Sequence, residues 1–330
     1  MPGKQNGKGH NENPGIPLLV LVGPTAVGKT ALAVKVAQRL QTEIISADSA
    51  QVYRCLDIGT AKPSAGERKA APHHLIDIVD PGCNFSVADY QKQANKIIQD
   101  LWQGNKLPFL VGGTGLYINA VIEGYAFGQK GANPQVREHY EQLAAIEGLG
   151  ALYEKLKRID PEAASKIHPN DRKRIIRALE VYDQEGRPIS QQVARTTEKK
   201  PPYDPVIFGL HMDREMLYER IEKRVELMLE AGWLDEVRQL HEKGYGENDP
   251  GMQVLGYRQL LAYLQGQYSW EYTIAEIKKQ TRNLAKRQLT WFRRNKNITW
   301  LKVTEHTDID NLTENICFKV KDLAPARANR

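Results

Sequence analysis

Cysteine is scarce and scattered. Cys55, Cys83 and Cys317 are the only three in 330 residues. Their odd number and lack of zinc-binding spacing exclude a disulfide framework and point to a reducing, cytoplasmic setting. Also missing is any apolar run near the ~20 residues that a membrane-spanning helix needs. Residues 1–15 are rich in Gly, Asn, Lys and Pro and have no apolar signal core. They are expected to form a disordered tail, as are residues 323–330. Acidic residues are absent from Lys278 to Lys296, a stretch with eight basic ones. The overall balance is that of a globular protein, 41% hydrophobic and 26% charged, with a net charge of +6 and a pI of about 9. Such a charge permits a polyanionic partner without requiring one. The length leaves room for two domains, or for one domain carrying an insertion.

What is present is, first, Gly23-Pro24-Thr25-Ala26-Val27-Gly28-Lys29-Thr30, which fits G-x-x-x-x-G-K-[ST]. The apolar run from Pro17 to Val22 reads as a buried strand, and Ala31 to Leu40 reads as a helix. That setting turns the pattern into a phosphate site. Gly23 and Gly28 let the backbone fold back so that several N–H groups converge on one anion. The helix N-terminus adds partial positive charge. Lys29 brings a full charge, and Thr30 offers a hydroxyl to Mg²⁺. The loop predicts a bound di- or triphosphate and leaves open which one.

Thr42 to Asp48 reads as a second strand, ending in Asp48-Ser49-Ala50-Gln51. Function collects at the carboxyl ends of strands in open parallel sheets, so Asp48 lies near the loop if the two strands are neighbours. Its position alone is compatible with a general base, a Mg²⁺ partner or a helix N-cap. Residues 53–72 read as irregular loop and His73 to Asp80 as a third strand. No further His or Cys lies at ligand spacing, so the two histidines are expected to form hydrogen bonds. Ser86 and Asp89 predict a capped helix start. Lys106 to Val111 is the next strand, running into the turn Gly112-Gly113-Thr114-Gly115, a third candidate at the same rim.

The composition changes near Phe127. Residues 128–200 read as a mostly helical, polar insertion between core segments 16–127 and 201–322. Asn133 and Pro134 suit a helix cap and first position. Arg172, Lys173, Arg174 and Arg177 place four basic residues in six positions, on a solvated face or against a polyanion. Lys199 to Pro202 reads as a linker and Val206 to Leu210 as a strand. Helices follow over 214–231 and 234–243, then a loop over 246–258 and an amphipathic helix from Trp270 to about Asn295. Lys278, Arg282 and Lys286 recur at i, i+4 along it, a face that a phosphate backbone can follow. The expected fold is α/β: a P-loop NTPase-like parallel sheet core flanked by helices, with a mostly helical insertion domain.

Seven stretches in order carry a resemblance: GPTAVGKT (23–30), ISADSAQVYR (45–54), DIGTAKP (57–63), HHLID (73–77), VGGTGLY (111–117), RALEVY (177–182) and AKRQLTWFRR (285–294). From about residue 17 to 303 the chain resembles the tRNA dimethylallyltransferase family, the bacterial tRNA isopentenyltransferases. The resemblance implies transfer of a dimethylallyl group from dimethylallyl diphosphate to the N6 amine of the adenosine 3′-adjacent to the anticodon. It implies that Gly23 to Thr30 hold the diphosphate, with Mg²⁺ at Thr30 and Arg224 as a further ligand. Asp48 takes the role of base, with Lys29 and Thr114 in the catalytic set, and the target base is flipped out. Contacts to the tRNA anticodon stem-loop fall to Asp48, Ser49, Ala50, Gln51, Thr114 and Arg137. Further contacts fall to Lys173, Arg174, Ile175, Ile176 and Arg177, and to Gln253, Gly256, Tyr257 and Arg258. The basic helix adds Arg282 and Lys286. Nothing demands more than a monomer. Val27 stands where the family commonly has Ser, and GMQVLGYR departs somewhat from the family's usual form.

Other readings share part of this pattern. An ATP-binding small-molecule kinase explains the loop but not the basic helix or the insertion. An adenylate isopentenyltransferase shares the donor but takes free adenine nucleotides, which do not need those basic segments. An RNA-binding protein with a nucleotide switch would bind tRNA without prenyl chemistry.

Overall fold

The structure is a computed structural model that describes residues 15–127, 133–191 and 202–323. The expected tails outside 15–323, the first residues of the insertion and most of the linker at 199–202 lie outside the described residues. The chain divides into two compact units. One joins residues up to Ile122 with those from Pro202, and the other is Glu123–Pro201.

The first unit is built on six parallel strands: β1 Ile16–Val22, β2 Ile44–Ala47, β3 His73–His74, β4 Phe109–Gly112, β5 Tyr203–His211 and β6 Ile298–Lys302. Their order across the sheet is β3-β2-β4-β1-β5-β6. Strand β1 is central, and its residues 18 to 22 are buried on both faces, hence the unbroken apolar run. Alternation divides them between two cores. Leu19 and Leu21 pack with Phe109, Val111 and Phe208, under helices α1 (Lys29–Leu40), α9 (Arg214–Glu230) and α13 (Ile309–Val320). Leu18, Val20 and Val22 pack with Ile45 and Leu110, under α3 (Val87–Gln103) and α4 (Gly115–Glu123). A third core joins Val52 and Leu56 to α10 (Trp233–Glu242), α11 (Tyr257–Leu264) and α12 (Trp270–Phe292).

The strand register positions the site. Val22 and Ala47 both pair with Gly112. Gly23, Asp48 and Gly113 therefore leave the sheet side by side.

Two local expectations are corrected. The third strand stops at His74, because Leu75 and Asp77 take positive φ angles of 62° and 58°, incompatible with a pleated strand. Beyond it, Tyr53 and Val79 form an isolated parallel bridge. The segment 53–72 also holds a short helix, α2 (Ala65–Ala70), started by a reciprocal cap between Ser64 and Glu67.

The second unit holds α5 (Pro134–Ile146), α6 (Leu149–Ile159), α7 (Pro161–Lys166) and α8 (Arg172–Glu185). Asn133 caps α5 through the Gln135 and Val136 N–H groups, with Pro134 in the first turn. Tyr140, Leu152, Leu156, Ile175, Ile176 and Leu179 fill its core.

Candidate active site

The phosphate loop runs from β1 into α1. Gly28 sits at the helix N-cap with φ +99°, a conformation an L side chain strains to adopt, although a Cβ there would meet nothing. No side chain caps the helix at this point, so its first N–H groups face the loop. Lys29 Nζ donates to Gly23 O at 3.0 Å and Pro24 O at 2.7 Å. Burial lowers the Lys29 pKa to about 8; the Asp48 carboxylate pulls it upward and Arg224 pushes it further down. Arg224 comes from α9 and feels the same forces: burial works against its charge, and Asp48 supports it. Two cations and one carboxylate thus share this rim, a surplus of positive charge suited to a diphosphate.

Asp48 opens a tight turn. Its Oδ1 accepts from Ala50 N–H at 2.9 Å and Gln51 N–H at 3.3 Å, which orients the carboxylate through one oxygen. No helix follows, so Asp48 caps a turn and not a helix N-terminus. Gln51 is half-buried and engaged: its Oε1 accepts from Ser46 at 3.2 Å, and its Nε2 donates to Thr60 O and Ala61 O. Ser49 is exposed, and its N–H donates to Thr114 Oγ1 at 3.0 Å. The Asp48 turn and the second glycine turn are thereby joined. A cavity of about 50 Å³ lies between the strand ends and the loop, lined by Lys29, Thr30, Ser46, Asp48, Gln51 and His73 among others.

Mg²⁺ prefers oxygen ligands and keeps several from water or phosphate. The Thr30 hydroxyl and Asp48 carboxylate bordering this cavity fit that preference. Among the described residues no three His, Cys, Asp or Glu side chains group into a cage.

Several supporting residues escaped the sequence reading. The Glu236 carboxylate on α10 accepts from the N–H groups of Asp57 and Ile58, both at 2.9 Å, and of Gly59 at 3.4 Å. Lys62 donates to Asp57, Asp77 and Tyr53 O. Both residues hold the loop whose carbonyls fix Gln51. For Glu236 there is no local signal, because its partners lie about 180 residues away.

The expected RNA-contacting residues divide by exposure. Lys173 and Arg174 are exposed on α8. Ile175 and Ile176 are 0% and 2% exposed and belong to the core, on the inner face of an amphipathic helix, so their side chains are not available to an RNA. Arg137, exposed, and Arg177, partly exposed, share one partner, the fully buried Glu180, at 3.0 and 3.3 Å. Burial works against the Glu180 charge, but the Asn133 N–H, Arg137 and Arg177 outweigh it and hold its pKa below the usual value.

In the 253–258 segment, Gln253 and Arg258 are exposed and Gly256 and Tyr257 are buried. The Tyr257 hydroxyl donates to Glu236 and accepts from Gly59 N–H, which makes it a structural anchor rather than an RNA contact. The uniform basic face of α12 is also corrected. Lys278 pairs with Glu226 and Arg282 with Glu222, both on α9, whereas Lys286 is exposed.

A parallel sheet whose level strand ends bring a Gly-Lys-Thr loop beside an aspartate defines a P-loop-like α/β protein. The family model described as IPP transferase matches residues 51–295, and that of isopentenyl transferase matches residues 16–78. A tRNA dimethylallyltransferase of Natranaerobius thermophilus is 49% identical over 93% of this chain and 91% of its own. The full-length tRNA isopentenylpyrophosphate transferase of Bacillus halodurans is similar in structure, with a TM-score of 0.69 and 43% identity over 93% of this chain and 98% of that one. A eukaryotic dimethylallyltransferase acting on tRNA aligns with a TM-score of 0.78 and 28% identity, over 95% of this chain and 81% of that one. The chain belongs to the IPP transferase family, that of the tRNA dimethylallyltransferases.

Proposed function

We propose that this protein transfers the dimethylallyl group of dimethylallyl diphosphate to the N6 amine of the adenosine 3′-adjacent to the anticodon of a tRNA. The observation that carries the reading is the convergence of Lys29, Arg224 and Asp48 on one rim, beside the Ser49–Thr114 link. The bond from N6 to the allylic carbon forms as the carbon–oxygen bond to the diphosphate breaks, and its electron pair leaves with the diphosphate. Lys29, Arg224 and the loop N–H groups stabilise the charge that grows there. Thr30 would hold a magnesium ion, which would supply further stabilisation of that charge. An amine conjugated to a purine is a weak nucleophile, and Asp48 receives its proton. Its carboxylate is already oriented by the Ala50 and Gln51 N–H groups.

The exposed Arg137, Lys173, Arg174 and Arg258 and the partly exposed Arg177 suit contacts with the anticodon stem-loop, where phosphate contacts supply most of the affinity. We place the protein in the cytoplasm as a monomer. No helix among the described residues is long and apolar enough to cross a membrane.

Nucleoside analysis tests the position of transfer. Unmodified tRNA incubated with protein, Mg²⁺ and dimethylallyl diphosphate is expected to carry the group on the adenosine 3′ to the anticodon alone. Modification at another nucleoside would overturn the assignment.

A further inference from the structure

Gln288 lies in the last third of α12, far along the chain from the residues that it touches. Its Oε1 accepts from the Thr25 N–H of the phosphate loop at 2.8 Å. Its Nε2 donates to Gly113 O, in the second glycine turn, at 3.1 Å. One amide thus bridges the two turns that leave β1 and β4. The chemistry selects the residue type. Thr25 N–H needs an acceptor and Gly113 O needs a donor, and a carboxamide supplies both, whereas a carboxylate or a lysine supplies one.

The glycines of the turn are shaped to receive it. A Cβ on Gly113 would stand 2.4 Å from Gln288 Nε2, and one on Gly115 would stand 2.3 Å from the Trp291 ring. Ala285 and Phe292, both buried, seat the helix on either side. The next residue after Gly113 is Thr114, whose hydroxyl accepts from Ser49 N–H beside Asp48. A continuous path therefore runs from the phosphate loop through Gln288, Gly113 and Thr114 to the turn that carries Asp48.

We infer that Gln288 is a positioning residue that fixes the separation between the phosphate loop and the Gly113–Thr114 turn, and so aligns the allylic carbon with the incoming amine. The inference rests on the transfer reaction proposed above. It assigns Gln288 a part in alignment and none in holding either substrate. A misplacement of about 1 Å costs an aligned reaction ~100-fold.

Two variants remove the bridge by different routes. Gln288→Met keeps the volume and loses both hydrogen bonds. Gly113→Ala pushes on the end of a side chain that can swing away, so the fold accommodates it while the amide is displaced. For each, kcat, the KM for dimethylallyl diphosphate, the separate binding of inorganic diphosphate and of tRNA, and Tm are measured beside wild type. The expected result is a kcat lower by about 10- to 100-fold in both. Diphosphate and tRNA binding should stay within about threefold. The double variant should lose little more than either single one, because both remove the same contact. A kcat near wild type in both variants would overturn the inference, as would binding losses that match the loss of kcat. An inactive wild type would instead overturn the transfer reading, and this inference with it; an active wild type beside two equally active variants overturns the inference alone.

Discussion

Lys29 and Asp48 make opposite demands on the same small volume. Lys29 is desolvated until its pKa falls to about 8, from an ordinary value of 10.5. The folded lysine therefore gives up its proton before the unfolded one does. Between about pH 8 and 10.5 the unfolded chain binds the extra proton, so the burial penalty on folding eases as pH rises through that window. Diphosphate binding has the opposite dependence, because it needs the ammonium. Donor binding should take up a proton above pH 8, and donor affinity should fall as pH rises from 8 to 9.5. Calorimetry in buffers of different ionisation heat reads that uptake directly, and a flat affinity over this range would remove Lys29 from the donor site. Asp48 is tested by Asp48→Asn, which keeps the acceptor for the Ala50 and Gln51 N–H groups and loses the base. Transfer should fall by about 10²- to 10⁴-fold while tRNA binding holds. Near-normal turnover would show that Asp48 is not the base.

Among the elements, α8 shows how one basic helix serves two purposes. Its outer residues Lys173 and Arg174 are exposed, whereas Ile175 and Ile176 fill the core. Replacing Lys173 and Arg174 with Ala should flatten the dependence of log affinity for tRNA on log salt by about one to two. An unchanged slope would return both to a solvated face. Ile176→Ala should instead lower stability by about 2–5 kcal/mol with the salt slope unchanged, read from thermal melting and binding titrations. The local parts of the site were legible in the sequence. A strand, a glycine loop and a helix in series, the Asp48 turn and the Gly112–Gly115 turn each depend on neighbours a few residues away. The Ser64–Glu67 cap is equally local. Glu236 and Gln288 were not legible as site supports, because their partners are set by tertiary packing. The positive φ angles of Leu75 and Asp77 likewise leave no mark in an apolar-polar pattern. The i, i+4 spacing of Lys278 and Arg282 gave their face correctly, but not the glutamates of α9 that meet it.

At the scale of the whole molecule, two compact units divide the chain, one carrying the sheet and its strand-end site and the other a helical core with exposed cations. The central claim is that the strand-end site moves a prenyl group onto RNA. The most direct test incubates the protein with Mg²⁺, labelled dimethylallyl diphosphate and, in parallel, unmodified tRNA, AMP or ATP. The account predicts label on tRNA and none on either mononucleotide. Label on AMP or ATP would contradict it and make the protein a mononucleotide prenyltransferase, and ATP turnover without any label would assign the loop to a kinase.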